Sequence, residues 1–80
     1  MALRTNQDVT ISFKHYGLIT IPKGVRLTNQ TACGIDEKYN FVDDLSWIKD
    51  KYPTISGILT HDAKYYGIDI PKEFVGKDSL

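Results

Sequence analysis

His61 and Asp62 stand side by side in the stretch THDAKYYG, residues 60–67, within a segment that has the period of an amphipathic helix. An imidazole and carboxylates that converge can hold a divalent metal or move a proton between substrate and water. Asp44 offers the second carboxylate, so a metal-assisted hydrolase built on Asp44, His61 and Asp62 is one expectation. Neighbours on a helix point about 100° apart, so His61 and Asp62 are expected to find their partners elsewhere rather than in each other. Asp62 also falls on a stripe that should be apolar. A carboxylate there can accept hydrogen bonds from loop amides or from Tyr and Lys side chains, and so fix the packing. A lone His-Asp dipeptide has little specificity as a motif, and the packing role is the favoured one.

Other residues that could do chemistry have plainer readings. Cys33, the only cysteine, lacks any local signature of a nucleophile and reads as a small buried or half-buried thiol. Asp43 and Asp44 suit a helix start, with Asp43 as the N-cap. Ile21-Pro-Lys-Gly24 lacks the glycines and the ending of a phosphate loop and reads as a turn. The aromatic residues differ in kind. Trp47 and Tyr65 fall off the helical stripes drawn below, and Tyr16 and Tyr39 lie in turn or loop segments. These four are the candidate protein-interface residues, since exposed Tyr and Trp anchor interfaces. The rival explanation is that a small core recruits them.

The elements that must position these residues divide near residue 40. Val9, Ile11 and Phe13 alternate with polar residues, Ile19 and Ile21 share one face of a second strand, and Val25–Thr31 reads as a third. Ala32–Asn40 reads as a loop. In the second half, Val42, Leu45, Ile48 and Tyr52 form one helical stripe, with Lys49 and Lys51 at its basic end. Ile55, Ile58, Leu59, Asp62 and Tyr66 form a second, closed by Gly67. Ile68 and Ile70 flank Asp69 in a short strand, Phe74 docks in a last turn, and the tail from Gly76 is expected to fray. The fold class is α+β: a small antiparallel sheet from the N-terminal half, packed by two helices from the C-terminal half.

Eighty residues make one domain with a small core, which must suffice or gain area from a partner chain, so a homo-oligomer is an open expectation. Ten Lys and Arg balance ten Asp and Glu, with no basic run. Nucleic acid is therefore not the expected partner. No stretch approaches a membrane span, and the N-terminus has no apolar run of the secretory kind. With a single cysteine, these features point to the cytosol. There is no CxxC or HxxxH spacing, and no cofactor is expected.

FVDDLSWI (41–48) followed by HDAKY (61–65) resembles a group of uncharacterised tailed-phage proteins. Their pattern runs as a strand ending in VPxGF, then VTDxASIP, and later HDxLY in a helix. Phe41, Val42, Asp44, Leu45 and Ile48 match the first block, and His61, Asp62 and Tyr65 the second. Trp47 stands where that group carries Ser, and Lys49 where it carries Pro. The gap between blocks is shorter here, and an extra loop separates IPKG from Phe41. The resemblance covers about a third of the chain. It implies a phage or mobile-element origin, an α+β fold and no established activity, and it favours convergence of Asp44, His61 and Asp62. The resulting expectation is a small accessory protein of a phage or mobile element, in the host cytosol, that binds a protein. Inhibition of a host defence or regulatory complex is one form. The alternatives are the hydrolase and a structural, self-assembling component with Trp47 or Tyr65 buried between chains.

Overall fold

The computed structural model describes residues 3–31, 33–35 and 38–77. The described chain forms strands β1 (Leu3–Thr5), β2 (Val9–Ser12), β3 (Leu18–Ile21), β4 (Arg26–Thr28), β5 (Gln30–Thr31), β6 (Gly34–Ile35) and β7 (Asn40–Val42). Helices α1 (Ser46–Lys51) and α2 (Ser56–Tyr66) follow, then β8 (Asp69–Ile70) and β9 (Val75–Lys77). The fold is α+β, with both helices in the C-terminal half.

The main sheet has the order β8-β7-β4-β1-β9, and every neighbouring pair is antiparallel. Its two edge strands, β8 and β9, are consecutive in sequence and joined only by residues 71–74. Across a flat five-stranded sheet the edges would lie about 19 Å apart. Four linking residues reach at most about 17 Å when fully extended. Here three of the four, Lys72–Phe74, are coiled into a 3-10 turn, which shortens the reach further. The sheet therefore curls so that its two edges approach each other.

The helices and the separate β2–β3 hairpin pack with this sheet around one core. Ile19, Ile21, Ile48, Leu59, Ile68 and Ile70 are its most completely enclosed side chains. In the hairpin, Val9 pairs with Ile21 and Ile11 with Ile19 on the inner face. Thr10 and Thr20 pair on the outer face, where their hydroxyls bond at 3.0 Å. Thr5 is buried and holds the turn before β4. Its hydroxyl donates to the Pro22 carbonyl and accepts from the Val25 amide. Tyr52, at the end of α1, accepts the Thr20 amide at 2.6 Å and so ties α1 to the outer edge of β3.

The sequence expectations need several local corrections. The single strand expected over Val25–Thr31 breaks at Asn29 into β4 and β5, and β5 turns back on β6. The expected loop 32–40 holds β6 and the first residue of β7; Ala32, Asp36 and Glu37 lie outside the described residues. The tail expected to fray from Gly76 instead supplies β9, paired with β1 from Val75 to Lys77. Helix α1 starts three residues later than Asp43. Asp43 pairs with Arg26 at 3.0 Å, and Asp44 is the residue that organises the helix entry. Among the described residues, no helix is long and apolar enough to cross a membrane.

Candidate functional site

The site grows out of two local features. The β2–β3 hairpin closes through a 3-10 turn, Lys14–Tyr16, which Gly17 exits at φ 71°. Lys14 takes up φ 46°, the left-handed region that a side-chained residue rarely enters. Helix α2 buries Leu59 and Ala63, one turn apart, and sets Asp62 beside them with its side chain 21% exposed. The two features meet at this carboxylate. Tyr16 OH donates to Asp62 Oδ2 at 2.8 Å, while its ring stacks on Phe13 with centroids 6.0 Å apart. Lys14 Nζ lies 2.8 Å from the centre of the Tyr66 ring, a cation over an aromatic face.

Asp62 also touches its neighbour. His61 Nδ1 lies 3.4 Å from Asp62 Oδ1, at the long limit of a hydrogen bond. The expectation that the two would not bond is thus corrected: rotation of both side chains overcomes their 100° separation, at the cost of distance. The His61 ring packs against Tyr65, centroids 4.8 Å apart.

The electrostatics follow from these contacts. The Asp62 carboxyl is held below its ordinary pKa, first by the Tyr16 hydrogen bond, against an opposing effect of burial. The His61 contact and the Lys14 charge act in the same direction as Tyr16. The Tyr16 phenol is pushed up, chiefly by burial and then by its bond to the Asp62 carboxylate. Each group thus stabilises the other in the pair Tyr–OH and Asp–COO⁻.

Asp44 has a different task. Its Oδ1 accepts the Ser46 hydroxyl at 2.7 Å and the Ser46 amide at 3.0 Å. These two bonds lower its pKa, with the Ser46 hydroxyl the larger cause. It closes a turn two residues on, which leads the chain into α1. Among the described residues, no three His, Cys, Asp or Glu side chains come together as a metal-holding group. Asp44, His61 and Asp62 therefore do not converge as the hydrolase expectation requires. Asp62 makes the packing contact, and its partner is Tyr16 rather than a loop amide.

The four aromatic candidates also separate. Trp47 is 8% exposed and meets Tyr52 edge-on at 6.3 Å, so it is a core residue and not an interface anchor. Tyr16 is half-buried and committed to Asp62. Tyr39 is exposed in the approach to β7. Tyr65 is 67% exposed, with Lys64 Nζ 5.7 Å from its ring centre. Cys33 is exposed, against the expectation of a buried or half-buried thiol.

Tyr65 and Lys64 line a groove of about 540 Å³. Phe41, Val42, Leu45 and Ala63 contribute to its less exposed lining, and Tyr66, Asp43 and Cys33 to the exposed part. Tyr66, expected on the inner stripe, lies in line with Leu59 seven residues on, yet it is exposed at the last residue of α2. Ile58, expected on the same stripe, is exposed too, and Ala63 joins Leu59 in the core instead.

No family model matches the chain, and no curated protein or solved structure shows significant similarity to it.

Proposed function

We propose that this chain is a protein-binding module that works through the C-terminal half of α2 and the groove beside it. The observation that carries the reading is the pair Tyr65 and Tyr66, both about two-thirds exposed on a well-formed helix next to that groove. Neither ring is required by the core, whose contribution from α2 is Leu59 and Ala63. Large amphipathic rings with one face in water are the side chains that become hot spots when a partner covers them. Lys64 and Lys14 place two cations against these rings. The fitting partner is therefore a protein segment with an apolar anchor for the groove and carboxylates to meet the lysines. The resemblance of residues 41–48 and 61–65 to tailed-phage proteins supports an accessory role in a phage or mobile element; inhibition of a host defence or regulatory complex is one form of such a role.

Selection of a displayed random-peptide library on the intact chain tests the reading. The expected winners carry an apolar residue flanked by Asp or Glu. Their binding should fall about tenfold or more when Tyr65 and Tyr66 are both changed to Ala, since loss of one aromatic anchor typically costs more than about 1.4 kcal/mol. An unenriched library, or winners that bind the double variant equally well, would reject it.

A further inference from the structure

β2 and β3 form a sheet of their own, so among the described residues each has an edge with no strand against it. Two hydrogen bonds fix which amides face outward. The Phe13 amide donates to the Gly17 carbonyl at 2.8 Å, so the odd-numbered residues of this strand turn their amides toward β3. The Thr20 amide, opposite Thr10, points the other way and donates to Tyr52. Bonded and non-bonded pairs alternate in an antiparallel ladder, so Thr10 and Ser12 aim their amides away from β3. The outer edge of β3 is stopped by the Tyr52 hydroxyl. Among the described residues, the outward amides of β2 meet no such cap.

Edge strands are ordinarily protected by charges, prolines or bulges. Val9 to Phe13 holds no charge and no proline. The sequence around it has a further property. Asp8-Val9-Thr10-Ile11-Ser12-Phe13-Lys14 reads alike from either end by chemical type. An acid answers a base, an apolar residue answers an apolar one, a hydroxyl answers a hydroxyl, and Ile11 stands at the centre.

We propose that a second copy of this chain pairs antiparallel along β2, about a twofold axis at Ile11, and so joins the two hairpins into one four-stranded sheet. A twofold interface must be self-complementary, and this strand is. Thr10 then faces Ser12 of the second copy, and the pair exchanges the amide and carbonyl bonds that the free edge leaves open. Ile11 faces Ile11, the one half-buried apolar side chain of the strand. At both ends Asp8 lies near the turn that carries Lys14 of the second copy, so opposite charges meet there. Asp8 uses Oδ1 for the Lys23 amide, which leaves Oδ2 for this contact. Lys14 reaches it by leaving the Tyr66 ring, a movement of one exposed side chain. The pairing uses the hairpin edge and shares only Lys14 with the α2 face proposed for a protein partner.

Sedimentation of the intact chain over a dilution series from millimolar to sub-micromolar tests the pairing. The expected result is a reversible monomer–dimer equilibrium. Thr10→Lys with Ser12→Lys sets like charges directly opposite at two positions, and should weaken the dimer about tenfold or more. Thr10→Glu with Ser12→Lys sets opposite charges there and should retain it. Both side chains are exposed, so both variants should keep the wild-type circular dichroism. Amide hydrogen exchange on the wild type gives a reading that needs no variant: protection of Thr10 and Ser12 should rise with protein concentration. A wild type that stays monomeric at millimolar concentration, a dimer equally strong in the two variants, or exchange independent of concentration would overturn the proposal.

Discussion

Helices α1 and α2 each carry two large side chains in succession, Trp47-Ile48 and Tyr65-Tyr66, and treat them in opposite ways. In α1 both are buried; in α2 both are exposed. Adjacent helical residues diverge by about 100°, so both can be buried only where the helix is covered on more than one side. Helix α1 is six residues long and is covered in this way, with Ile48 in the core and Trp47 against Tyr52. Helix α2 meets the core through Leu59 and Ala63; Tyr65 turns away from that face, and Tyr66, in line with Leu59, stays exposed at the last residue of the helix. The difference shows that aromatic content by itself does not locate a binding face. The layer behind the helix decides which rings serve folding and which remain for a partner.

That contrast has consequences that can be measured. Trp47→Ala should destabilise the chain by about 3–5 kcal/mol, enough to unfold much of a domain this small. A urea titration that showed a loss as small as a surface substitution gives would remove Trp47 from the core side of the comparison. Gly67, which ends α2, should come next. It adopts φ 79° and ψ 157°, a region suited to glycine, and a Cβ there would lie 3.1 Å from Phe41 Cδ1. Gly67→Ala should cost about 1–3 kcal/mol, read from the same titration.

Asp62 lies between the two regimes, since it is neither core nor open surface. Its folded pKa is lowered, so its contribution is present above the unfolded carboxylate pKa and is lost as pH falls through the folded value. Tyr16 has the opposite sign. Its folded pKa is raised, so its contribution holds below the unfolded phenol pKa and is lost as pH rises through the folded one. Asp62→Asn should lower the melting midpoint by a few degrees at pH 7, and the gap from wild type should close in acid below the carboxylate range. A gap unchanged from neutral to strongly acid pH would show that the ionised pair is not what joins the hairpin to α2.

Much of this arrangement was legible in the sequence, and the failures have physical causes. The period-2 strands at Val9–Phe13 and Leu18–Ile21, the helix ending at Gly67 and the strand at Ile68–Ile70 follow from local pattern alone. Strands β1, β7 and β9 are three residues each and owe their form to neighbours distant in sequence, which no short window records. Asp43 and Asp44 are equally good capping residues on paper. Arg26, on β4, takes one of them and leaves the other to Ser46. The carboxylate of Asp62 announced itself by interrupting an apolar stripe. Its partner Tyr16, 46 residues away, did not, because only the hairpin turn brings the two together.

The central claim is that Tyr65 and Tyr66 serve a partner rather than the fold. The measurement that tests it most directly is the melting midpoint of the variant with both changed to Ala, paired with its affinity for a selected peptide. The account predicts a stability within about 0.5–1 kcal/mol of wild type, as for surface substitutions, together with at least a tenfold loss of binding. A large drop in the midpoint, or unchanged binding, would contradict it.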